Sequence, residues 1–367
     1  MKKAYTMMAL AQALDGELIG DGNVMIDRVA HPADVRGARD LAFATDKKLL
    51  ALVTASVARA AVIAADAEME PGILDACIVV KRPRLAMAKL NALFEETVTV
   101  PVGIHPTAVI AAGAQLDELV AIGPHVYIGA GAVIGRGVTL HPQVYIGPEA
   151  VIGRGTVIHA GTRIGARVEI GDNALIHFNA AIGADGFSFV TPEIGSVEAA
   201  KATGAVKATN HTLIRIASLG TVVIGNDVEI GANTTIDRGT IAATRIGNGT
   251  KIDNQVQIGH NVTIGENCLI CGRVGIAGSV VVGNRVVLGG AVGIADHVTI
   301  GDDAVAMAMS GIAGNVPAKT IVAGIPARPR DQTIEAHFNL GRLKSLIKKV
   351  ESLTTRLDKL ERDGKSR

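Results

Sequence analysis

One feature leaves this chain few folds to choose from: an aliphatic residue recurs every six positions and holds that phase over most of the length. From Ile104 the series runs through Ile110, Leu116, Ile122, Ile128, Ile134, Leu140, Ile146, Ile152, Ile158, Ile164, Ile170 and Ile176 to Ile182. It breaks at GADGFSF (183–189) and resumes at Ile224, Ile230 and Ile236. Extra residues near IAAT (241–244) then shift the count, which continues from Ile246 to Ile312. Neither the helix nor the strand has this period. A repeat so short cannot bury its own apolar side, so neighbouring repeats must stack. The reading is a parallel β-helix in which each hexad is a short strand plus a turn. Its first residue points inward, a small or β-branched fifth residue packs beside it, and the frequent glycine at the second position relieves crowding where the chain bends. Three hexads close one triangular coil, so residues eighteen apart stack at about 4.8 Å. Aromatic residues make up only 2 % of the chain, as narrow, identical cells of Ile, Val, Leu and Ala require.

The hand of the coil does not follow from the period. Chains with this hexad resemble the left-handed β-helix acyltransferases, and that resemblance implies the left hand despite the usual right-handed crossover. The expected class is mainly β: a left-handed parallel β-helix of hexapeptide repeats over 101–320, interrupted by an insertion near 186–217. An N-terminal α/β domain over 1–100 precedes it. There RAAVIAA (59–65) and ACIVVKRP (76–83) read as strands, with helices over Met7 to Leu14 and Arg84 to Glu95. A C-terminal helical extension over 321–367 follows, with Leu343, Leu346, Val350, Leu353, Leu357 and Leu360 spaced as an a/d seam. Such a short seam is marginal alone, so it is expected to bundle with copies of itself on an oligomer that the prism builds.

With 36 basic against 35 acidic residues, overall charge gives no drive toward nucleic acid. Cys77, Cys268 and Cys271 are an odd set. They are expected to be reduced and structural in a cytoplasmic protein, the last two filling small-residue slots of the repeat. The start, MKKAYTMMALAQALDGELIG, has its apolar run broken by Gln12 and Asp15, so an amphipathic helix is expected rather than a cleaved leader. No run approaches the ~20 apolar residues of a transmembrane segment.

The chemistry concentrates in DNQVQIGHNVTIGENC (253–268). Four histidines, His105, His141, His159 and His177, occupy the second hexad position, where a corner residue suffices as the explanation. His260 alone is third. Eighteen residues on is Gly278, and eighteen further Asp296, beside His297. The eighteen-residue coil therefore stacks His260, Gly278 and Asp296–His297 up one corner. An imidazole next to a glycine amide suits acyl transfer: the base takes the nucleophile's proton and the N–H stabilises the oxyanion. Asp253, seven residues before His260, is the expected orienting carboxylate. A zinc reading, as in prism proteins resembling carbonic anhydrases, lacks a third ligand at this corner, so no metal is expected.

GADGFSF (183–189), VVIGNDVEIGANTTIDRGTI (222–241), IGNGTKIDNQVQIGHNV (246–262) and VGIADHVTIG (292–301) together closely resemble the UDP-3-O-(3-hydroxyacyl)glucosamine N-acyltransferases, which act early in lipid A synthesis in Gram-negative bacteria. The resemblance spans nearly the whole chain. It implies a homotrimer with sites between subunits, and transfer of a 3-hydroxyacyl chain from acyl carrier protein to the 2-amine of UDP-3-O-acylglucosamine. No cofactor is implied beyond the 4'-phosphopantetheine that arrives on the carrier. His260 falls on the family's base, His297 on its second active-site histidine, Gly278 on the oxyanion donor and Asp253 on the acidic partner.

The same resemblance implies that the N-terminal domain holds uridine. Phe43 matches a stacking ring, and Asp46 and Leu49 stand where the family usually has Asn and Tyr. Ala308, Ser310 and Gly311 fall near the end of the acyl groove, where small residues imply room for a long chain. Arg328, Arg330, Arg342 and Lys344 form a candidate landing site for the acidic carrier protein. The rival functions are a coenzyme A-dependent sugar-nucleotide acetyltransferase and a β-helix without chemistry. The insertion, the polar corner ladder and the extra domain speak against the second.

Overall fold

A computed structural model describes residues 3–67, 72–96, 98–205, 211–324 and 327–365. It divides into two compact units, Met1–Thr99 and Val100–Arg367.

In the first unit five strands form one sheet in the order Glu17–Gly20, Ala76–Val80, Ala60–Ala64, Asp40–Ala44, Arg28–Ala30. All neighbours are parallel except the first pair. The strands alternate inward and outward side chains, so each face has its own core. Leu41, Phe43 and Ile78 pack with the helices Met7–Leu14 and Pro83–Phe94, whereas Ala42, Ala61 and Cys77 pack with Val53 of the helix Lys47–Ala55. Thr6 caps the first helix through its side chain. Arg28 holds the Asp40 carboxyl down to about 2, donating to it from Nε at 2.8 Å and so clasping the sheet edge. Burial raises the Cys77 thiol to about 11, so it stays protonated.

The second unit is the stacked coil that the hexads predict. Every six residues the chain makes a two-residue strand and turns. Three parallel sheets result, with 11, 10 and 9 strands among the described residues. The first face runs from Gly103–Ile104 to Ile321–Val322, the second from Val109–Ile110 to Gly311–Ile312, and the third from Gln115–Leu116 to Thr299–Ile300. The first-position aliphatics from Ile122 to Ile312 form one continuous core. Turns are made by a fourth-position residue in the left-handed region, for example Asn173, Asn233 and Asn267 at φ 55–56°, which explains the many Asn, Asp and Gly there.

Polar residues inside the prism are satisfied locally. Fifth-position hydroxyls such as Thr156, Thr234 and Thr250 donate to carbonyls of the next coil at 2.8–2.9 Å. Cys268 fills the same slot, its thiol 3.1 Å from the Gly283 carbonyl. At the corner from the third to the first face, third-position Asx side chains accept from the amide one coil below: Asp172 from Arg154, Asn226 from Asp172, Asn248 from Asn226, Asn284 from Glu266, and Asp302 from Asn284, all at 2.7–2.8 Å. That corner is stitched shut.

The predicted insertion folds as a short antiparallel pair, Phe189–Val190 with Ile214–Arg215, and a helix, Ser196–Thr203; residues 206–210 of it lie outside the described residues. The tail is a single helix, Arg330–Lys365, on which Leu343, Leu346, Val350, Leu353 and Leu357 are all exposed; the side chain of Leu360 lies outside the description. No helix among the described residues is long and apolar enough to cross a membrane.

Candidate active site

Stacking on the second face sets Ile258 beside Ile276 and Ile276 beside Ile294. The turns after them therefore stack too. Ser279 donates its N–H to the His260 carbonyl at 2.9 Å, and His297 donates to that of Gly278 at 3.2 Å. His260, Gly278 and Asp296 thus occupy successive coils of one corner. His297 follows two coils above His260, in the left-handed turn position (φ 61°).

The imidazole is held between two glycines. A methyl group on Gly278 would lie 2.7 Å from Cε1 and 2.8 Å from Nε2 of His260. One on Gly186 would lie 2.7 Å from Cβ and 2.9 Å from Cδ2. Only glycine leaves room at these approaches. Gly186 belongs to the start of the insertion and is fixed there by donating its N–H to the buried Ser218 Oγ at 3.1 Å. Around the ring opens a recess of about 760 Å³ lined by His260, Gly278, Gly259, Gln257, Asp237, Asp185 and the aromatic pair Phe187 and Phe189. Those two rings meet edge to face at 5.1 Å, and Phe187 is 86 % exposed. Arg215 of the insertion pairs with Asp185 at the rim. His297 is not among the residues lining the recess.

Within one chain Asp237 shares the recess with this imidazole and lies close enough to feel its charge, whereas Asp253 does not line it. Asp253 follows a strand of the first face, so it stands at the next corner of the prism. There it accepts from the Asn254 N–H at 2.7 Å and lines a separate recess with His177, Phe178 and Glu229. The seven-position step from Asp253 to His260 is one hexad plus one, which moves a side chain to another corner. Asp237 is 9 % exposed. Burial pushes its carboxyl above the usual range, while the Gln257 side chain and the nearby His260 pull the other way. Its sequence signal is the second hexad position of TTIDRG, where Asp replaces the common Gly. The adjacent Arg238 turns inward and donates to the carbonyls of Gly183 and Ala166, both at 2.9 Å.

Other expected residues are placed differently. Phe43 is 7 % exposed in the core of the first unit, which leaves no open face for stacking a base. Asp46 caps the helix Lys47–Ala55, its Oδ1 accepting from Leu49 N–H at 2.9 Å. Ser310 is 3 % exposed, its hydroxyl donating to the Met307 carbonyl at 2.6 Å, so it is an interior residue and not part of a groove. Ala308 is exposed at the turn from the first to the second face. Gly311 lies outward on the second face, in register with Gly293 and Gly275, and a methyl group on any of the three would meet open space. This glycine strip leads away from the recess. Arg328, Arg330, Arg342 and Lys344 are exposed on or just before the C-terminal helix. Among the described residues no group of three or more His, Cys, Asp or Glu is placed to hold a metal ion.

Residues 131–166, 149–184 and 243–278 match the model of the bacterial transferase hexapeptide family (six repeats). The chain is 46 % identical over 360 residues to the UDP-3-O-acylglucosamine N-acyltransferase of Ruegeria pomeroyi, covering 97 % of this chain and 98 % of that one. It is 49 % identical over 277 residues to the enzyme of that name from Paracoccus denitrificans, covering 74 % and 75 %. Among solved structures, Arabidopsis UDP-N-acetylglucosamine acyltransferase is similar with a TM-score of 0.51 and 24 % identity, over 60 % of this chain and 71 % of that one. At that identity the likeness is one of fold.

Proposed function

Since the chain belongs to the family of UDP-3-O-acylglucosamine N-acyltransferases, and is thus an acyltransferase, we propose that it uses the His260 corner to acylate the 2-amine of UDP-3-O-(3-hydroxyacyl)glucosamine. The donor is a 3-hydroxyacyl thioester on acyl carrier protein, and the product is a UDP-2,3-diacylglucosamine for lipid A synthesis. The observation that carries this reading is the imidazole clasped by Gly186 and Gly278 at a recess that continues into a glycine strip.

The steps follow from the groups present. The sugar nitrogen attacks the thioester carbonyl carbon while His260 Nε2 takes its proton. The carbonyl oxygen becomes an oxyanion, which the Gly278 N–H stabilises. The C–S bond then breaks, and the departing thiolate receives the proton from the imidazolium. Asp237, in the same recess, is the carboxylate near enough to favour that imidazolium. His297 serves the arriving donor rather than the proton transfer. The acyl chain lies along Gly275, Gly293 and Gly311, where the absence of side chains gives a long chain space.

In this reading the N-terminal unit holds the uridine through contacts other than a Phe43 stack. Copies of the chain form a trimer whose C-terminal seams bundle, since exposed leucines on a helix this long need cover. Arg328, Arg330, Arg342 and Lys344 receive the acidic carrier. Reversing the charges of Arg342 and Lys344 raises the KM for the carrier at low salt and leaves that for the sugar nucleotide unchanged. The deciding experiment is mass spectrometry of the product formed from UDP-3-O-acylglucosamine and a mixture of carriers loaded with different chains. Acetyl transfer from coenzyme A with no carrier-dependent product would overturn the assignment.

A further inference from the structure

We propose that Asn261 is a positioning residue that fixes the tautomer of His260, and that the extra residues near 241–244 are there to hold it. The inference rests on the proposed role of His260 as base.

A neutral imidazole has one N–H and one lone pair, and which nitrogen is which depends on the partner of the other. His260 Nδ1 lies 3.0 Å from Asn261 Oδ1. A side-chain amide can be turned either way by its partners, so this contact alone does not say which nitrogen carries the proton. The surrounding backbone does. The Thr240 N–H donates to Asn261 Oδ1 at 3.1 Å, and Asn261 Nδ2 donates to the Ala242 carbonyl at 3.4 Å. A backbone N–H can only donate and a carbonyl can only accept. The amide oxygen therefore faces His260, Nδ1 must carry the hydrogen, and Nε2 keeps its lone pair as the base requires.

This clamp explains the break in the repeat. In regular coils the fourth-position N–H donates to the third-position carbonyl one coil below, as Ser279 does to His260 and Gln255 to Ala232. Asn261 leaves that pattern. Its N–H donates instead to Thr244 Oγ1 at 2.9 Å. Thr240, Ala242 and Thr244 thus hold every polar group that Asn261 offers to this loop. All three lie in the coil that the insertion lengthens, so that Ile236 pairs with Ile258 across twenty-two residues instead of eighteen. Here the lengthened coil brings a backbone N–H and a carbonyl against the amide side chain.

The test uses the full-length protein. Asn261 sits at φ 61°, so Asn261→Gly removes the side chain without backbone strain. Asn261→Asp keeps the acceptor. With 15N-labelled histidine, the His260 resonances identified by their loss in His260→Gln show a protonated Nδ1 and a bare Nε2 in the parent protein at high pH. In Asn261→Gly this signature is lost, and kcat falls by at least about tenfold with KM for both substrates little changed, since a base in the wrong tautomer cannot accept the proton. Asn261→Asp keeps the signature and most of the activity, and the acid limb of its rate profile moves to higher pH because a carboxylate favours the imidazolium. A bare Nδ1 in the parent protein overturns the proposal. So does an Asn261→Gly protein that keeps either the signature or the parent kcat. Full activity in His260→Ala would instead remove the catalytic reading, leaving the tautomer result to stand by itself.

Discussion

The corner from the third to the first face and the corner from the second to the third are built from the same hexad, yet they do opposite things. At the first, third-position Asp and Asn side chains accept from the amide one coil below, and the chain is sewn to itself from Arg154 to Asp302. At the second, the third positions are His260, Gly278 and Asp296, and the polar stitch gives way to a ring between glycines. One corner uses its side chains on its own backbone. The other leaves a recess and sets an imidazole beside it. In the proposed reading, stability and chemistry sit on separate edges of one scaffold, as expected where functional residues break a local rule kept elsewhere.

The sharpest way to break this contrast is to exchange losses between the corners. His260→Ala should lower kcat by at least about 10²-fold with little change in Tm. Asn284→Ala at the stitched corner should leave kcat within about twofold but cost about 1 kcal/mol for the amide it leaves unpaired. Steady-state rates and thermal melts of both variants decide. If Asn284→Ala silences the enzyme while His260→Ala only softens the fold, the division of labour is wrong.

Next in size are Gly278→Ala and Gly186→Ala. Each methyl arrives 2.7 Å from a His260 atom, so the ring must move, and misplacement of a base by about 1 Å costs on the order of 10²-fold. Gly275→Ala and Gly293→Ala, where a methyl meets open space, spare a short acyl donor and penalise a long one. Chain-length profiles of the four variants would show whether the clasp and the strip are distinct.

The smallest effect is in acid. Hydrogen bonding to Arg154 holds the Asp172 carboxyl below its ordinary 3.8, whereas burial pushes Asp237 above it. A lowered carboxyl stabilises the fold above its unfolded value, and that contribution is lost as pH falls through the folded one. A raised carboxyl does the reverse: it destabilises when ionised and is relieved as pH falls toward 3.8. Asp237→Asn should therefore melt slightly higher than the parent at neutral pH, and the gap should already be narrowing as pH falls toward 3.8. Asp172→Asn should melt slightly lower, and its gap should begin to close only as pH falls through 3.8 and below. Melting curves against pH test this, and gaps of the same sign in the two variants at neutral pH would contradict it.

Much of this was legible in the residues. The period alone gives the coil, the inward aliphatics and the stacking of His260, Gly278 and Asp296, because each coil repeats the local contacts of the one before. The readings that moved did so where that arithmetic was not followed or could not apply. Asp253 is near His260 in sequence, but a hexad of separation turns the chain through a corner. Ser310 belongs to the interior fifth position, as Thr156 and Thr250 do. Phe43 lies in an α/β unit without a repeat, where its alternation on a buried strand decides exposure.

The sequence by itself determined the prism, its gaps, and the corner that carries His260, since a six-residue period puts three strands in a coil and stacks residues eighteen apart. Only the tertiary structure decided that Asp237 shares the recess of the imidazole, that Gly186 closes over the ring, and that Thr240, Ala242 and Thr244 gather around Asn261. The contacts of Gly186 and Asn261 come from two departures from the repeat. Segments without a period are positioned by whichever distant groups satisfy their backbone, and that is settled only once the coil they fold against exists.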